Sequence, residues 1–335
     1  MSEPVGIVGY GLYIPETTMT AADIAAATGG KWSAQAVTEK LGVVKKSIPG
    51  PDDGTQEMGV RAGLDALKRT GIDPMDIDLV LCVGEEWKEY PLTTSAIYIQ
   101  EKIGAKRAWS IDLQQRCNTT VAAIKIAKDM MLADPEIKTV MIVGGYRNCD
   151  FLDYMDPGVS FMFNLGAGGG ALILQRGYNK NVVLGAHIMT DGSLSRDAGV
   201  KYGGTLYPIE KLPEAELADV RARGNLSLKV FDGEHMKNRL NEVSVPNWYL
   251  CIDKALEKSG KTRKDLGFFN ILHFKPSMFD VMLADLGMTR EQSVYLDQYG
   301  HVGQIDQMIT IHEGIQQGKL KDGTLMVITA AGIGY

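Results

Sequence analysis

Short apolar runs alternate along the chain with stretches in which apolar residues recur at helical spacing. One apolar run ends near Asp112, and the residues after it predict a helix over about 118–132 and a strand over 139–144. The same order recurs near the other end, where a helix is predicted over about 303–317 and a strand over 324–329. Strands that alternate with helices indicate an α/β protein in which helices cover both faces of parallel sheets.

Segments of the first half are similar to segments of the second half, in the same order. One pair reads as a helix end, a glycine, a loop aspartate and an apolar strand, and the other pair as an apolar strand that ends in glycine. The matched segments are 66–81 (with Gly71 and Asp76) and 255–272 (with Gly260 and Asp265), then 137–145 and 323–332. We interpret this as an internal duplication and predict two halves, residues 1–176 and 177–335.

Cys117 is predicted to lie in a strand-to-helix turn, just before the first central helix. Free amides and the positive end of the helix dipole stabilise a thiolate there, and Arg116 adds to this effect. The alternative is a buried structural thiol, which is how we interpret Cys82 inside its apolar run. The polar and charged residues around Cys117 favour a nucleophile instead.

His301 has the corresponding position before the second central helix. A pseudo-twofold arrangement of the halves would bring both helix starts to one point. A thiol and an imidazole that meet there form a nucleophile with its proton partner.

Composition narrows the class of protein. The 335 residues are 45% hydrophobic and 23% charged, as in a globular protein with a sizeable core. A net charge of −6 without a Lys/Arg-rich patch argues against nucleic-acid binding. We see no apolar run long enough for a bilayer, no signal peptide and no cysteine pattern of a metal site or disulfide scaffold. We therefore expect a cytoplasmic protein with reduced thiols, no metal and no membrane association.

Several separated motifs resemble the thiolase superfamily, in particular its ketoacyl-ACP synthase III branch. These motifs are Gly9-Tyr-Gly-Leu-Tyr-Ile-Pro-Glu, Trp32 ahead of Gly42-Val, Tyr90-Pro91 and Phe163-Asn-Leu-Gly-Ala-Gly-Gly-Gly, besides the Cys117 and His301 segments. The resemblance covers nearly the whole chain. It implies a duplicated α-β-α-β-α fold of five layers with two pseudo-symmetric halves, and a homodimer. Family members usually continue beyond a segment like residues 332–335, so either the sequence is part of a longer chain or the second sheet lacks an edge.

The resemblance also implies roles for particular residues. Cys117 matches the family's nucleophile, although Thr119 replaces a common glycine. His273 matches the histidine of the family's His-Gln-Ala-Asn, and His301 stands at the position of its asparagine. This gives either a Cys-His-His triad, as in chain-elongating ketoacyl synthases, or a pair of His301 with Asp306, as in some acyl-transferring members.

Further residues are expected to bind the substrate. The amides of Cys117 and Gly334 would form the oxyanion hole. Trp32 would stack on an adenine, Lys275 would meet a phosphate, and Tyr90 would reach the pocket of the neighbouring subunit. The implied partners are acyl-CoA or an acyl carrier protein, and no bound cofactor is expected.

The expected activity is an acyltransferase that loads Cys117 from a thioester and condenses the acyl group with a malonyl-type thioester. One alternative is transfer without decarboxylation, or starter priming, to a hydroxyl, amine or carrier protein by means of His301 and Asp306. An alternative of another class is an inactive structural partner of a catalytic homologue. The retained Cys117 argues against that last hypothesis, because an inactive partner needs no thiol at a helix start.

Overall fold

Two β-sheets with helices between and outside them organise the chain in this computed structural model, which describes residues 3–84, 87–223 and 226–333. The strands are β1 (Val5–Tyr13), β2 (Thr18–Thr20), β3 (Lys45–Ser47), β4 (Leu79–Cys82), β5 (Trp109–Asp112), β6 (Thr139–Tyr146), β7 (Gly168–Arg176), β8 (Ala198–Val200), β9 (Leu228–Val230), β10 (Phe268–Ile271) and β11 (Met326–Thr329). The helices are α1 (Ala21–Ala27), α2 (Ala34–Ala36), α3 (Thr55–Thr70), α4 (Ser95–Ile103), α5 (Thr119–Ala133), α6 (Glu214–Arg223), α7 (Gly233–Lys258), α8 (Pro276–Asp285) and α9 (Asp306–Gln316).

The larger sheet has the strand order β1-β7-β6-β4-β5 and is mixed. Strand β4 is parallel to both β5 and β6, whereas β7 is antiparallel to β1 and β6. The expectation of a purely parallel sheet was therefore wrong. Between β6 and β7 the described chain forms only 3₁₀ turns, and a strand that returns without a helical crossover pairs antiparallel.

The layers follow the order helix, sheet, helix, sheet, helix. Helices α3 and α4 pack on one face of the larger sheet, and α5 and α9 pack on the other. The smaller sheet of β10 and β11 comes next, with α7 and α8 outside it. Neighbouring residues of β10 show this directly, because Phe268 joins the core shared with α5 and α9 while Phe269 joins the core shared with α7 and α8. The predicted five-layered α/β fold is confirmed.

The duplication is visible in matching turns. Helix α3 ends at Gly71 (φ 71°), and α7 ends just before Gly260 (φ 63°), both in the left-handed conformation that favours glycine. Each helix is followed by a short 3₁₀ turn, which ends at Asp76 in the first copy and at Asp265 in the second. A parallel strand pair follows in both copies, β4 with β6 and β10 with β11. Strand β7 ends at Arg176, the last residue of the predicted first half; the division into two units stays a prediction.

The glycine run at the start of β7 lets helices of both halves approach the sheet. A Cβ on Gly169 would lie 2.2 Å from the Met58 carbonyl oxygen in α3, and one on Gly170 would lie 2.4 Å from Met308 Sδ in α9. The first substitution would push α3 away from the sheet, because the clash is with helix backbone, and the second would displace the Met308 side chain. The run is therefore a place of close packing between the sheet and both helices.

Candidate active site

The turn before α5 places Cys117 at the start of that helix. Residues Arg116–Asn118 form a 3₁₀ turn that continues into α5, and Cys117 is buried. Arg116 has φ 52°, a left-handed conformation that is costly for a side chain with a Cβ. Thr119 Oγ1 stabilises the turn, because it accepts the Gln115 amide at 2.8 Å and donates to the Arg116 carbonyl at 2.6 Å. The threonine at a position where glycine is common thus has a structural use here.

The starts of the two central helices meet. Thr120 Oγ1 in the first turn of α5 donates to the Gln304 carbonyl, at 2.6 Å, in the 3₁₀ turn before α9. Next to it, Gly303 has φ 57°, and a Cβ there would lie 2.3 Å from Cε2 of the buried Tyr146 ring. Only glycine lets this ring pack under the turn. The predicted convergence of the Cys117 and His301 segments follows from this contact.

Cys117, His301 and Asp306 form one hydrogen-bonded chain. His301 Nε2 lies 3.1 Å from Cys117 Sγ, and His301 Nδ1 lies 2.5 Å from Asp306 Oδ2. Asp306 is fully buried, and its other oxygen accepts the Val302 amide at 2.7 Å. A carboxylate held this way fixes the ring so that Nε2 faces the sulfur, which is the arrangement of a nucleophile, a base and an orienting group.

The surroundings of His301 favour its charged form. Burial lowers the pKa of His301, but the charges of Asp306 and of the Cys117 thiolate, together with their hydrogen bonds, raise the pKa well above its usual value. An imidazolium at this position stabilises a negative charge on the sulfur.

His273 lies next to this hydrogen-bonded chain, but its backbone amide and both ring nitrogens have other hydrogen-bond partners. Its backbone amide donates to Asp306 Oδ2 at 2.8 Å. Its ring Nε2 lies 3.1 Å from the Gly42 carbonyl, and its Nδ1 lies 3.0 Å from Asn164 Nδ2. Since a carbonyl accepts and an amide nitrogen donates, the neutral ring carries its proton on Nε2. Burial lowers the pKa of His273 to about 4, so the ring is neutral near pH 7 and both its nitrogens are in use.

A cavity of about 290 Å³ opens next to the turn that carries Cys117, and the residues on either side of Cys117 line it. Gln115, Arg116 and Asn118 line it on one side, and residues 330–333 line it on another. A Cβ on Gly332 would lie 3.5 Å from the Cys117 amide nitrogen, so the 330–333 segment runs next to the predicted oxyanion donor. The opposite wall contains Met189, Thr190, Ser195, Asn247, Trp248 and Cys251. The second predicted donor, Gly334, lies outside the described residues.

The three residues expected to bind substrate lie apart from this cavity. Trp32 packs edge-on against Phe163, with Lys40 over its ring. Tyr90 is 69% exposed in the loop before α4, and Lys275 is exposed at the start of α8. None of these three side chains lines the described cavity next to Cys117. Their predicted roles stay predictions.

Some residues of the site were not predicted. Asn164 lies inside the Phe163-Asn-Leu-Gly-Ala-Gly-Gly-Gly motif, and Gly42 belongs to the Gly42-Val motif that follows Trp32. Only the fold shows that both hold His273. Lys46 carries no motif at all and proves to be a buried cation under the same segment. Cys82 behaves as expected of a structural thiol, because burial raises its pKa to about 12.

Within the described residues, neither a membrane-spanning helix nor a group of metal-binding side chains is present. No helix in residues 3–84, 87–223 and 226–333 combines the length and the hydropathy that crossing a membrane requires. Within the same ranges, no three His, Cys, Asp or Glu side chains are grouped so that they could hold a metal ion.

Comparison with known proteins identifies related chains. Residues 111–192 match the family model of 3-oxoacyl-[acyl-carrier-protein (ACP)] synthase III, and residues 256–335 match the model of its C-terminal part. A β-ketoacyl-[acyl-carrier-protein] synthase III of Aliarcobacter butzleri is 25% identical over 328 residues, which cover 97% of this chain and 93% of the relative.

Solved structures share the fold. The 3-oxoacyl-[acyl-carrier-protein] synthase III of Aquifex aeolicus superposes with a TM-score of 0.82 at 20% identity, covering 98% of this chain and 96% of that chain. The priming β-ketosynthase of the R1128 polyketide pathway superposes with a TM-score of 0.79 at 21% identity, covering 97% and 91%. The likeness spans nearly the full length of all these chains.

Proposed function

Because this chain is a ketoacyl-ACP synthase III-like member of the thiolase superfamily, and hence an acyltransferase, we propose that it carries its acyl group on Cys117. The observation that supports this most directly is the chain from Cys117 Sγ through His301 to Asp306. An inactive structural partner would have no use for a complete hydrogen-bonded triad.

In the first step, Cys117 Sγ attacks the carbonyl carbon of an acyl thioester. His301 Nε2 holds the proton that the thiol has given up, so the sulfur attacks as a thiolate, and the charge that forms on the carbonyl oxygen is stabilised by the Cys117 amide. When the tetrahedral intermediate collapses, the donor thiolate leaves and receives that proton from His301. The products are acyl-Cys117 and a free thiol, and Asp306 stabilises the imidazolium until it gives up the proton.

For the second step, the geometry favours a hydroxyl, amine or thiol acceptor. Such an acceptor loses its proton to His301 Nε2 as it attacks the acyl-Cys117 carbonyl, and the proton returns to Cys117 Sγ when the thioester bond breaks. This requires one base whose second nitrogen is held by a carboxylate, and His301 with Asp306 meets that requirement.

Condensation with a malonyl-type thioester is the second candidate, and the names of the relatives support it. Decarboxylation there forms an enolate whose oxygen needs two hydrogen-bond donors. His301 supplies one. The Nε2–H of His273 already bonds Gly42, so His273 becomes the second donor only if it exchanges that partner for the substrate.

We also infer how the donor and a second subunit meet the site. The relatives' names include an acyl carrier protein, and we propose that acyl-CoA or an acyl carrier protein delivers the thioester. Trp32 and Lys275 would contact the adenine and a phosphate. Tyr90 would reach the pocket of a second copy in a homodimer.

Intact-mass spectrometry after incubation with a panel of acyl-CoAs tests the acyl-enzyme. We expect an adduct on the wild type that is absent from Cys117→Ala. Cys251→Ala is the matched control, because Cys251 lines the cavity next to the Cys117 turn but has a pKa raised by burial. Chasing the adduct with malonyl-CoA or with hydroxyl and amine acceptors then separates the candidates, since only condensation releases carbon dioxide. An adduct that persists in Cys117→Ala and maps to another cysteine would refute the assignment.

A further inference from the structure

Lys46 is a buried cation whose partners are all uncharged oxygens. Its side chain is fully buried, and Nζ donates to Tyr154 Oη at 2.8 Å, to the Phe163 carbonyl at 2.8 Å and to the Leu165 carbonyl at 2.7 Å. An ammonium has three N–H donors, so these bonds use all of them.

This arrangement costs stability. Burial lowers the pKa of Lys46 to about 7, which shows how strongly the site disfavours the charge. An apolar side chain of similar length would avoid that desolvation cost but would leave the Phe163 and Leu165 carbonyls without this donor. A charge retained against a desolvation cost is therefore better explained by what it holds in place than by a gain in stability.

What Lys46 holds is the segment Phe163-Asn-Leu-Gly166. The carbonyls of Phe163 and Leu165 point to Nζ, so the carbonyl between them, that of Asn164, points the opposite way and accepts the His301 amide at 2.8 Å. The Gly166 amide donates to the His301 carbonyl at 2.9 Å. Both backbone groups of His301 thus depend on the segment that Lys46 fixes.

The same segment reaches the second histidine. The side chain of Asn164 bonds His273 Nδ1, so its position also depends on the peptide groups on either side of it. The neighbouring Ser47 donates from Oγ to the Ala167 carbonyl at 2.5 Å, and its own carbonyl accepts the Ala167 amide at 3.1 Å. Strand β3 therefore secures this loop from one side.

We propose that Lys46 is a positioning residue for acyl transfer: its ammonium orders segment 163–166 and thereby keeps His301 within hydrogen-bond distance of Cys117. The inference rests on the proposed function of Cys117 and His301. Loss of the ammonium frees two carbonyls, the segment relaxes, and the His301 imidazole moves relative to the sulfur.

The test is the pH dependence of Cys117 alkylation by iodoacetamide, followed by peptide mass spectrometry in the wild type and in Lys46→Met. We expect Lys46→Met to fold, with a single cooperative melting transition at pH 6 as in the wild type. We expect Cys117 of this variant to be alkylated about tenfold more slowly at pH 6 than Cys117 of the wild type. This corresponds to a shift of the pH profile of alkylation by about one unit. Acyl loading should slow similarly while the KM for the donor stays close to that of the wild type.

Tyr154→Phe is the matched control. It removes one acceptor from the same ammonium but leaves both bonds to segment 163–166, so its alkylation profile should match that of the wild type. A folded Lys46→Met with the wild-type profile would overturn the proposal, and so would a Tyr154→Phe variant that is slowed equally. If Lys46→Met does not fold, Lys46→Gln replaces it: its side-chain amide has two N–H donors for the same carbonyls, so its profile should match that of the wild type, and a profile slowed about tenfold would overturn the proposal.

Alkylation needs no acyl donor, so the two proposals can fail separately. A slowed Lys46→Met in an enzyme that accepts no acyl group on Cys117 would reject the proposed function and leave the positioning role intact. Normal acylation of Cys117, together with a Lys46→Met alkylation profile that matches the wild type, would support the proposed function and reject the positioning role of Lys46.

Discussion

His301 Nε2 lies 3.1 Å from Cys117 Sγ although 184 residues separate the two along the chain. The contact exists because each residue stands at the start of a central helix, and these helix starts are joined through Thr120 and Gln304. If the predicted division at residue 176 holds, each half supplies one of the two side chains in this contact.

Asp306→Asn should lower acyl transfer sharply. Asparagine can accept the Val302 amide as aspartate does, but it no longer compels His301 to carry its proton on Nδ1. In a comparable triad such a change costs about 10⁴-fold in rate, and we expect a loss of the same order in kcat. Steady-state kinetics with an acyl-CoA donor measure this loss of kcat. Asp265→Asn, in an exposed turn of the same half, is the control. A variant that keeps most of its kcat would remove His301 and Asp306 from the mechanism.

His273→Gln should separate the two candidate functions. Glutamine can keep one bond to Gly42 or Asn164, and simple acyl transfer uses only His301, so transfer to a hydroxyl or amine should fall by less than about tenfold. If the enzyme condenses, the enolate loses a donor, and release of carbon dioxide from malonyl-CoA should fall by about a hundredfold or more. Cys117 should still be loaded in either case. Loss of loading itself would assign His273 a role in the first step.

The helices on both faces of the sheets, the duplication and the convergence of Cys117 with His301 follow from local signals in the sequence, such as a glycine stop, an apolar period or a polar residue at a helix start, whereas the five layers follow from the family resemblance. The direction of the strands and the partners of individual side chains do not follow from such local signals. Strand β7 reverses because of a connection with no helical pattern, and His273 is held by Asn164 and Gly42, which are 109 and 231 residues away in the chain. Lys46 could not be found at all, since a lysine in sequence is ordinarily a solvated residue.

We expect the protein to be a homodimer that pairs through β5. This strand is the edge of the larger sheet, and its side chains Trp109 and Ile111 are 48% and 42% exposed. An uncovered edge with apolar side chains is a template for a second copy. Light scattering should show a dimer for the wild type and a monomer for Trp109→Lys/Ile111→Lys. Leu64→Lys, at an exposed position of α3, should remain dimeric. A wild type that is monomeric at every concentration would contradict this and the proposed role of Tyr90.

Acid should destabilise the protein through His273. Burial holds the folded-state pKa of His273 at about 4, against 6.5 for a free imidazole, so the unfolded chain binds the extra proton between these two values. Stability from the neutral ring is complete above pH 6.5 and is lost as the pH falls towards 4. At about 1.4 kcal/mol per pH unit, the loss across this window is about 3 kcal/mol.

His273→Gln removes the titrating group while keeping an amide that can bond the same partners. Its free energy of unfolding, from urea titrations at pH 7 and pH 4.5, should therefore fall less on acidification than that of the wild type. His312→Gln is the matched control, because that ring is only partly buried and bonds Tyr10 away from the site. Equal losses in the wild type and His273→Gln would show that folding does not lower the pKa of His273. The argument that burial keeps this ring neutral in acid would then be wrong.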